Sequence, residues 1–151
     1  MKVPYFDTGV ALKLVVEEPL SGRVRAFVRK RRTAIPYSRL MEVEIENALH
    51  ALRYRNAITD KQLAGARSLL AEMTVEGRFL AVDLSLDRIA SETLSLAALV
   101  TLKTGCRTLD LMHVATAKLL KADAFVSTDV RQLKAARLCG MSVINLEEGD
   151  G

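Results

Sequence analysis

The stretch that decides how this chain folds runs Cys106-Arg107-Thr108-Leu109-Asp110-Leu111-Met112-His113-Val114-Ala115-Thr116-Ala117. It predicts a helix with an apolar face, opened by Thr108, whose hydroxyl can accept a hydrogen bond from the first turn. Asp110 then falls in that first turn, where the helix dipole favours a negative charge. Taken alone, such an acid is more typical of a residue that supports its own helix end than of a functional one. Acids elsewhere in the chain favour a functional interpretation.

The composition is typical of one globular domain. Of the 151 residues, 50% are apolar and 26% are charged, which predicts a single domain over residues 1–151 with a frayed acidic tail at 147–151. The cysteines, Cys106 and Cys139, have neither metal-site nor disulfide spacing, so they favour a reduced, cytoplasmic location. No apolar run suits a membrane span or a signal peptide, so no membrane partner is expected. The net charge of +4 is compatible with a nucleic-acid partner but does not require one.

Short apolar runs alternate with helical patterns along the whole chain. Strands are predicted at residues 2–6, 33–37, 78–82, 122–127 and 141–146. Helices are predicted at residues 8–16, 21–31, 39–55, 60–76, 87–103, 108–120 and 130–137. This alternation predicts an α/β fold with a parallel sheet of about five strands, covered by helices on both faces.

Three acids are placed where such a sheet binds its ligands, beyond the carboxyl ends of the strands. Asp7 ends the first strand, Asp129 follows the fourth, and Asp110 opens the helix that leads into the fourth. Two carboxylates about 5 Å apart repel by roughly 3 kcal/mol at an effective dielectric near 20, so gathering several of them suits a partner cation. All-oxygen ligands favour Mg²⁺ or Mn²⁺ over zinc, and such an ion suits phosphodiester hydrolysis.

The helix at 39–55 carries three glutamates, Glu42, Glu44 and Glu46. At 100° per residue, Glu46 points away from the apolar stripe of this helix, whereas Glu42 and Glu44 lie at its two edges. Periodicity therefore excludes Glu46 from the interior and leaves the other two open, with a slight preference for Glu44.

Several basic residues and one histidine have two interpretations each. The run Arg29, Lys30, Arg31 and Arg32 is either a phosphate grip or, more commonly, a solvated helix end. Arg107 either binds phosphate or forms a structural ion pair. His113 either contacts phosphate or an acid of the site, or is a packed, hydrogen-bonded residue, and the second is favoured.

Taken together, four segments resemble PIN-domain proteins of the VapC toxin type. They are Phe6-Asp7-Thr8, Glu44-Ile45-Glu46-Asn47-Ala48-Leu49, Cys106 to Ala115, and Ser127-Thr128-Asp129. The resemblance covers essentially the whole chain, in order. It implies the toxin of a toxin–antitoxin pair, a Mg²⁺- or Mn²⁺-dependent endoribonuclease whose RNA cleavage is blocked by a VapB-type antitoxin. A non-catalytic PIN-like adaptor that binds RNA or protein is the alternative.

The resemblance also implies roles for particular residues. Its four metal-binding and catalytic acids match Asp7, Glu44, Asp110 and Asp129, and its supporting hydroxyls match Thr8 and Thr128. It further implies a three-layer α/β/α sandwich with strand order 3-2-1-4-5, and a homodimer. The apolar surplus on the helices within residues 8–31 and 39–55 favours the same assembly. The chain departs from the family at Gly9, where members commonly have serine.

Overall fold

The computed structural model describes residues 2–148, in which strands and helices alternate as the sequence predicts. The strands are β1 (Tyr5–Phe6), β2 (Ile35–Tyr37), β3 (Phe79–Ala81), β4 (Phe125–Ser127) and β5 (Val143–Asn145). The helices are α1 (Thr8–Leu12), α2 (Ser21–Arg31), α3 (Arg39–Tyr54), α4 (Asp60–Val75), α5 (Leu86–Thr104), α6 (Thr108–Leu119) and α7 (Val130–Leu138). The predicted α/β class with a parallel sheet is confirmed.

All the strand pairs within residues 2–148 are parallel, and they form two ladders. One ladder has the order β1-β4-β5, and the other pairs β2 with β3. Strands β1 and β2 lie side by side without a ladder between them. The order 3-2-1-4-5 is therefore observed in two parts and is not confirmed as one continuous sheet.

A proline explains the interruption between β1 and β2. The N–H of Ile35 donates to the carbonyl of Arg78, just before β3, at 2.8 Å. The carbonyl of Tyr37 accepts from the N–H of Val82, just after β3, at 3.1 Å. Because successive residues of a strand face opposite neighbours, Pro36 faces β1, and it has no N–H to donate. The ladder between β1 and β4 begins at Tyr5, after Pro4, and the Tyr5 N–H donates to the carbonyl of Ala124 at 2.8 Å.

The core lies on both faces of the sheet. Both residues of β1 and all three of β4 are buried, so helices must cover the side chains on each face. Helix α3 buries Met41, Ile45, Leu49 and Leu52, close to the predicted stripe. On α5, Leu94 is 76% exposed, so it lies outside the buried face of that helix. No helix within residues 2–148 is long and apolar enough to cross a bilayer.

The end of α1 and the C-terminal tail both differ from the prediction. Helix α1 stops at Leu12 instead of residue 16, and the chain continues in tight turns such as the Val15 N–H to Leu12 carbonyl bond of 3.0 Å. The acidic tail is partly held: Arg23 donates to the carbonyls of Leu146 and Glu147 at 3.0 and 2.9 Å. The fraying predicted for residues 149–151 concerns positions outside the described residues.

Candidate active site

Asp7 follows β1 directly and caps the N-terminus of α1. Its Oδ1 accepts the N–H of Val10 at 2.8 Å, and its Oδ2 accepts the hydroxyl of Ser127 at 2.7 Å. Burial raises the pKa of the Asp7 carboxyl above its ordinary value of 3.8, and these two hydrogen bonds oppose the rise. The fold therefore holds an acid at the carboxyl edge of the sheet in a poorly solvated position.

Glu44 reaches toward this acid from α3. Its Oε1 accepts the hydroxyl of Thr8 at 3.2 Å, and Thr8 is the next residue after Asp7. The same oxygen hydrogen-bonds Nε2 of His113. The side chain of Glu44 is 24% exposed, so it lies at the border between the core and solvent.

The other two glutamates of α3 face elsewhere. Glu42 pairs with Arg39 at 2.6 Å, within its own helix. Glu46 hydrogen-bonds His50 at 2.9 Å and also pairs with Arg67 at 3.2 Å. Of the three, only Glu44 contacts residues at the carboxyl edge of the sheet. The structure thus resolves the choice that periodicity left open between Glu42 and Glu44.

Asp110 lies in the first turn of α6, beside Asp129. Burial raises the pKa of the Asp110 carboxyl, and the negative charges of Asp129 and Glu44 add to the rise. The predicted N-cap is wrong, because Arg107 occupies that position without a side-chain bond and Thr108 is the first helical residue. No hydroxyl cap therefore contributes to the placement of Asp110.

Asp129 caps α7 and is tied to the other acids by two buried polar residues. Its Oδ1 accepts the N–H groups of Arg131 and Gln132 at 2.9 and 3.2 Å, and its own N–H donates to Ser127 Oγ at 3.0 Å. The hydroxyl of Ser127 lies within bonding distance of both Asp7 and the Gln132 side chain, which is 2.8 Å away. The Gln132 amide donates to the Asp110 carbonyl at 3.0 Å.

The sequence interpretation missed Ser127 and Gln132. Both are buried, at 0% and 1% exposure, in elements that otherwise bury apolar side chains. A polar residue on an apolar face is the signal that could have found them. Thr128, the expected supporting hydroxyl, is half-buried. Within residues 2–148 the hydroxyl that bonds the acids at this end of β4 belongs to Ser127.

The acids fit a hard divalent cation without forming a ready-made cage. No group of three or more acidic, histidine or cysteine side chains in residues 2–148 is close enough to hold a metal by itself. Mutual repulsion favours such an open arrangement. Mg²⁺ usually keeps several waters and binds through one or two carboxylates, so it needs no all-protein cage. A set of carboxylate oxygens is the kind of donor set that could hold a hard divalent cation.

The predicted basic residues separate into two locations. Arg107 is exposed next to the acids, and its positive charge partly opposes the rise that burial causes in the pKa of Asp110. Arg31 pairs at 4.0 Å with Asp123, which lies just before β4. The run from Arg29 to Arg32 therefore lies at the amino edge of the sheet, opposite the acids. The structure does not bring this run to the carboxyl edge.

These acids fall within a recognised sequence family. The family model described as PIN domain matches residues 5–138, which include Asp7, Glu44, Asp110 and Asp129. The chain is also 30% identical over 146 residues to ribonuclease VapC46 of Mycobacterium tuberculosis, covering 95% of this chain and 98% of that protein. This chain is a PIN-domain protein of the VapC type.

Solved structures support the same fold for this VapC-type protein. It matches DNA-bound VapBC from Salmonella typhimurium with a TM-score of 0.66 at 18% identity, covering 97% of this chain and 99% of that one. It matches VapBC2 from Rickettsia felis, bound to a promoter DNA fragment, with a TM-score of 0.65 at 15% identity, covering 95% and 98%. At these identities the likeness establishes the PIN fold alone.

Proposed function

We propose that this VapC-type protein is the toxin of a toxin–antitoxin pair and acts as a Mg²⁺- or Mn²⁺-dependent endoribonuclease. One observation carries the proposal. Asp7, Glu44, Asp110 and Asp129 come from separate segments, yet all four lie at one edge of the sheet. Thr8 bonds the side chain of Glu44, and Ser127 bonds the side chain of Asp7 and the backbone N–H of Asp129. Gln132 bonds the backbone carbonyl of Asp110. The relative named as a ribonuclease supports the same activity.

In this proposal one or two of the four carboxylates would bind the cation directly, and the others would bind and orient the waters that it keeps. A divalent ion there would lower the pKa of a coordinated water and offset the charge of the scissile phosphate. Ser127 and the Val10 N–H fix the carboxylate of Asp7, and the N–H groups at the start of α7 fix that of Asp129, so these two acids would be oriented before RNA binds.

In this proposal, basic residues beside the acids bind the phosphates of the RNA. Arg107 is exposed next to Asp110, and the Arg131 side chain lies against Gly105, two residues before Arg107. The run Arg29 to Arg32 at the opposite edge becomes the matched control. Removing one cation that binds a phosphate should flatten the slope of log affinity against log salt by roughly 0.7 for single-stranded RNA.

The grip is tested by measuring RNA affinity against salt, in Ca²⁺ to prevent cleavage. We expect Arg107→Ala combined with Arg131→Ala to flatten the slope, and neutralising Arg29 to Arg32 to leave it unchanged. The reverse result would indicate that RNA binds at the amino edge of the sheet instead.

The proposed partner is a VapB-type antitoxin. The solved VapBC complexes support this partner class. Four carboxylates at one edge suit a basic side chain from an antitoxin tail, which would pair with them and compete with the cation. Mn²⁺ should therefore weaken the binding of a cognate antitoxin tail, and equal binding with and without Mn²⁺ would argue for docking elsewhere.

We also propose a homodimer, with an interface on α5 in place of the helices that the sequence favoured. The sequence favoured the helices within residues 8–55, but α5 carries several strongly exposed large apolar side chains: Leu94 at 76%, Leu99 at 65% and Leu102 at 98%. Such side chains are typical of covered surfaces. Sedimentation should show a dimer for the wild type and a monomer for Leu102→Glu, and a monomeric wild type would contradict the assembly.

Sequencing the 5′ ends of cellular RNAs after a pulse of expression tests the activity. New ends should appear with the wild type and not with Asp110→Asn. New ends with neither protein, together with RNA binding by both, would favour the non-catalytic adaptor.

A further inference from the structure

Four elements meet at the buried ring of His113. The side chain, on α6, is 1% exposed. The Tyr5 hydroxyl from β1 lies 2.6 Å from Nδ1, and the Thr8 hydroxyl from α1 lies 3.0 Å from Nε2. Glu44 of α3 hydrogen-bonds the same Nε2 through Oε1. His113 is thus both the packed residue that the sequence favoured and a contact of a predicted site acid.

The chemistry of these partners fixes the position of the ring proton. A carboxylate oxygen accepts hydrogen bonds and cannot donate, so Nε2, which faces Glu44, must carry a hydrogen. The Tyr5 hydroxyl can then donate to Nδ1, and burial raises the pKa of Tyr5, which keeps the phenol protonated. A ring with a hydrogen on Nε2 and with Nδ1 accepting from Tyr5 satisfies the hydrogen bonds to Glu44 and Tyr5.

The two donors to Glu44 act on one oxygen only. Both Thr8 and His113 bond Oε1. In the part of the chain that the structure describes, no hydrogen bond reaches Oε2 of Glu44. The partly exposed side chain of Glu44 is therefore held at Oε1, and Oε2 stays available to a ligand.

We propose that His113 is a positioning residue, whose Nε2–H fixes Oε1 of Glu44 so that Oε2 is presented to the divalent cation. This role rests on the proposed function. Groups that hydrogen-bond a metal-ligating side chain typically change metal affinity by about 10–100-fold when they are removed. Tyr5 supports the same arrangement one step further back, because its hydroxyl bonds Nδ1 and so holds the ring from the side opposite to Glu44.

Two substitutions at the same position separate the hydrogen bond from the packing. His113→Phe keeps a ring and removes the donor, and we expect it to weaken Mn²⁺ binding, measured by calorimetry, by about 10–100-fold. His113→Gln keeps an N–H donor and should restore most of the affinity. His50→Phe is the matched control, because it removes a histidine–glutamate bond of 2.9 Å on an exposed face and should leave Mn²⁺ affinity unchanged.

A second measurement does not depend on metal or activity. Nitrogen-15 NMR of the metal-free wild type should show His113 protonated at Nε2 and unprotonated at Nδ1. A proton on Nδ1 alone would overturn the proposal, including in the case where His113→Phe fails to fold. Equal Mn²⁺ affinity of the wild type and His113→Phe would also overturn it. A wild type that binds no Mn²⁺ is a distinct result, which overturns the proposed function and this role together.

Discussion

Replacing Asp7 with asparagine should leave the metal-free protein at least as stable as the wild type at pH 7. Asparagine keeps the acceptor for the Val10 N–H, which Asp7 binds at 2.8 Å, and keeps a polar partner for Ser127. It removes a charge that burial disfavours, since folding raises the pKa of the Asp7 carboxyl. Alanine removes the charge and both hydrogen bonds.

The difference between the two variants follows from these hydrogen bonds. Loss of an N-cap costs about 1 kcal/mol, and loss of a buried hydrogen bond costs about 1 kcal/mol more. Asp7→Ala should therefore be about 2 kcal/mol less stable than Asp7→Asn. For a domain of this size that difference lowers Tm by roughly 4–8 °C. Thermal unfolding followed by circular dichroism measures it.

The pH dependence has a definite sign. A carboxyl whose folded pKa is raised contributes stability that is fully present below its unfolded pKa and is lost as pH rises through the folded pKa. The advantage of Asp7→Asn over the wild type should therefore grow from acidic to neutral pH. If Asp7→Asn had a Tm at pH 7 as low as that of Asp7→Ala, the argument that the Asp7 charge is destabilising would be refuted.

The wild type and Asp7→Asn also test whether the protein binds a divalent metal. Mn²⁺ at 100 times its dissociation constant should stabilise the wild type by about 2.7 kcal/mol. That corresponds to a rise in Tm of roughly 5–11 °C. Asp7→Asn should lose this rise while remaining folded. A wild-type Tm that does not move in millimolar Mn²⁺ would contradict the metal site.

Further predictions concern the site and the scaffold. Glu44→Gln should abolish RNA cleavage and Glu46→Gln should not; the opposite result in a cleavage assay would mean that the helix register is misjudged. Thr59→Ala should cost about 1 kcal/mol in denaturant unfolding, because Thr59 and Gln62 cap α4 through bonds of 3.1 and 2.8 Å. Phe125→Ala should cost about 3–5 kcal/mol, since this ring is fully buried, and a loss below 1 kcal/mol would contradict its place in the core.

Local signals predicted most of the elements. Strand and helix alternate with the expected periods, and most of their bounds follow from residue type and spacing. Asp7 and Asp129 were placed correctly at strand ends because strand direction fixes which ends share an edge. These features depend on neighbours within a few residues, so one sequence suffices for them.

Features that depend on distant neighbours were not predictable in the same way. The bonds of His113 to Tyr5 and Glu44 join residues 108 and 69 positions apart. The gap between β1 and β2 depends on which side Pro36 faces, and the exposure of Leu94 depends on what packs against α5. No periodicity within a single segment contains this information.

The most direct test of the proposed function is cleavage of RNA by the purified protein in the presence and absence of Mn²⁺. Wild type and Asp110→Asn should be compared on one RNA by gel electrophoresis, with both proteins shown to be folded. We predict cleavage by the wild type only when Mn²⁺ is present, stopped by a chelator and absent in Asp110→Asn. Equal cleavage by the two proteins, or cleavage by the wild type that persists in the chelator, would contradict a catalytic role for the carboxylates.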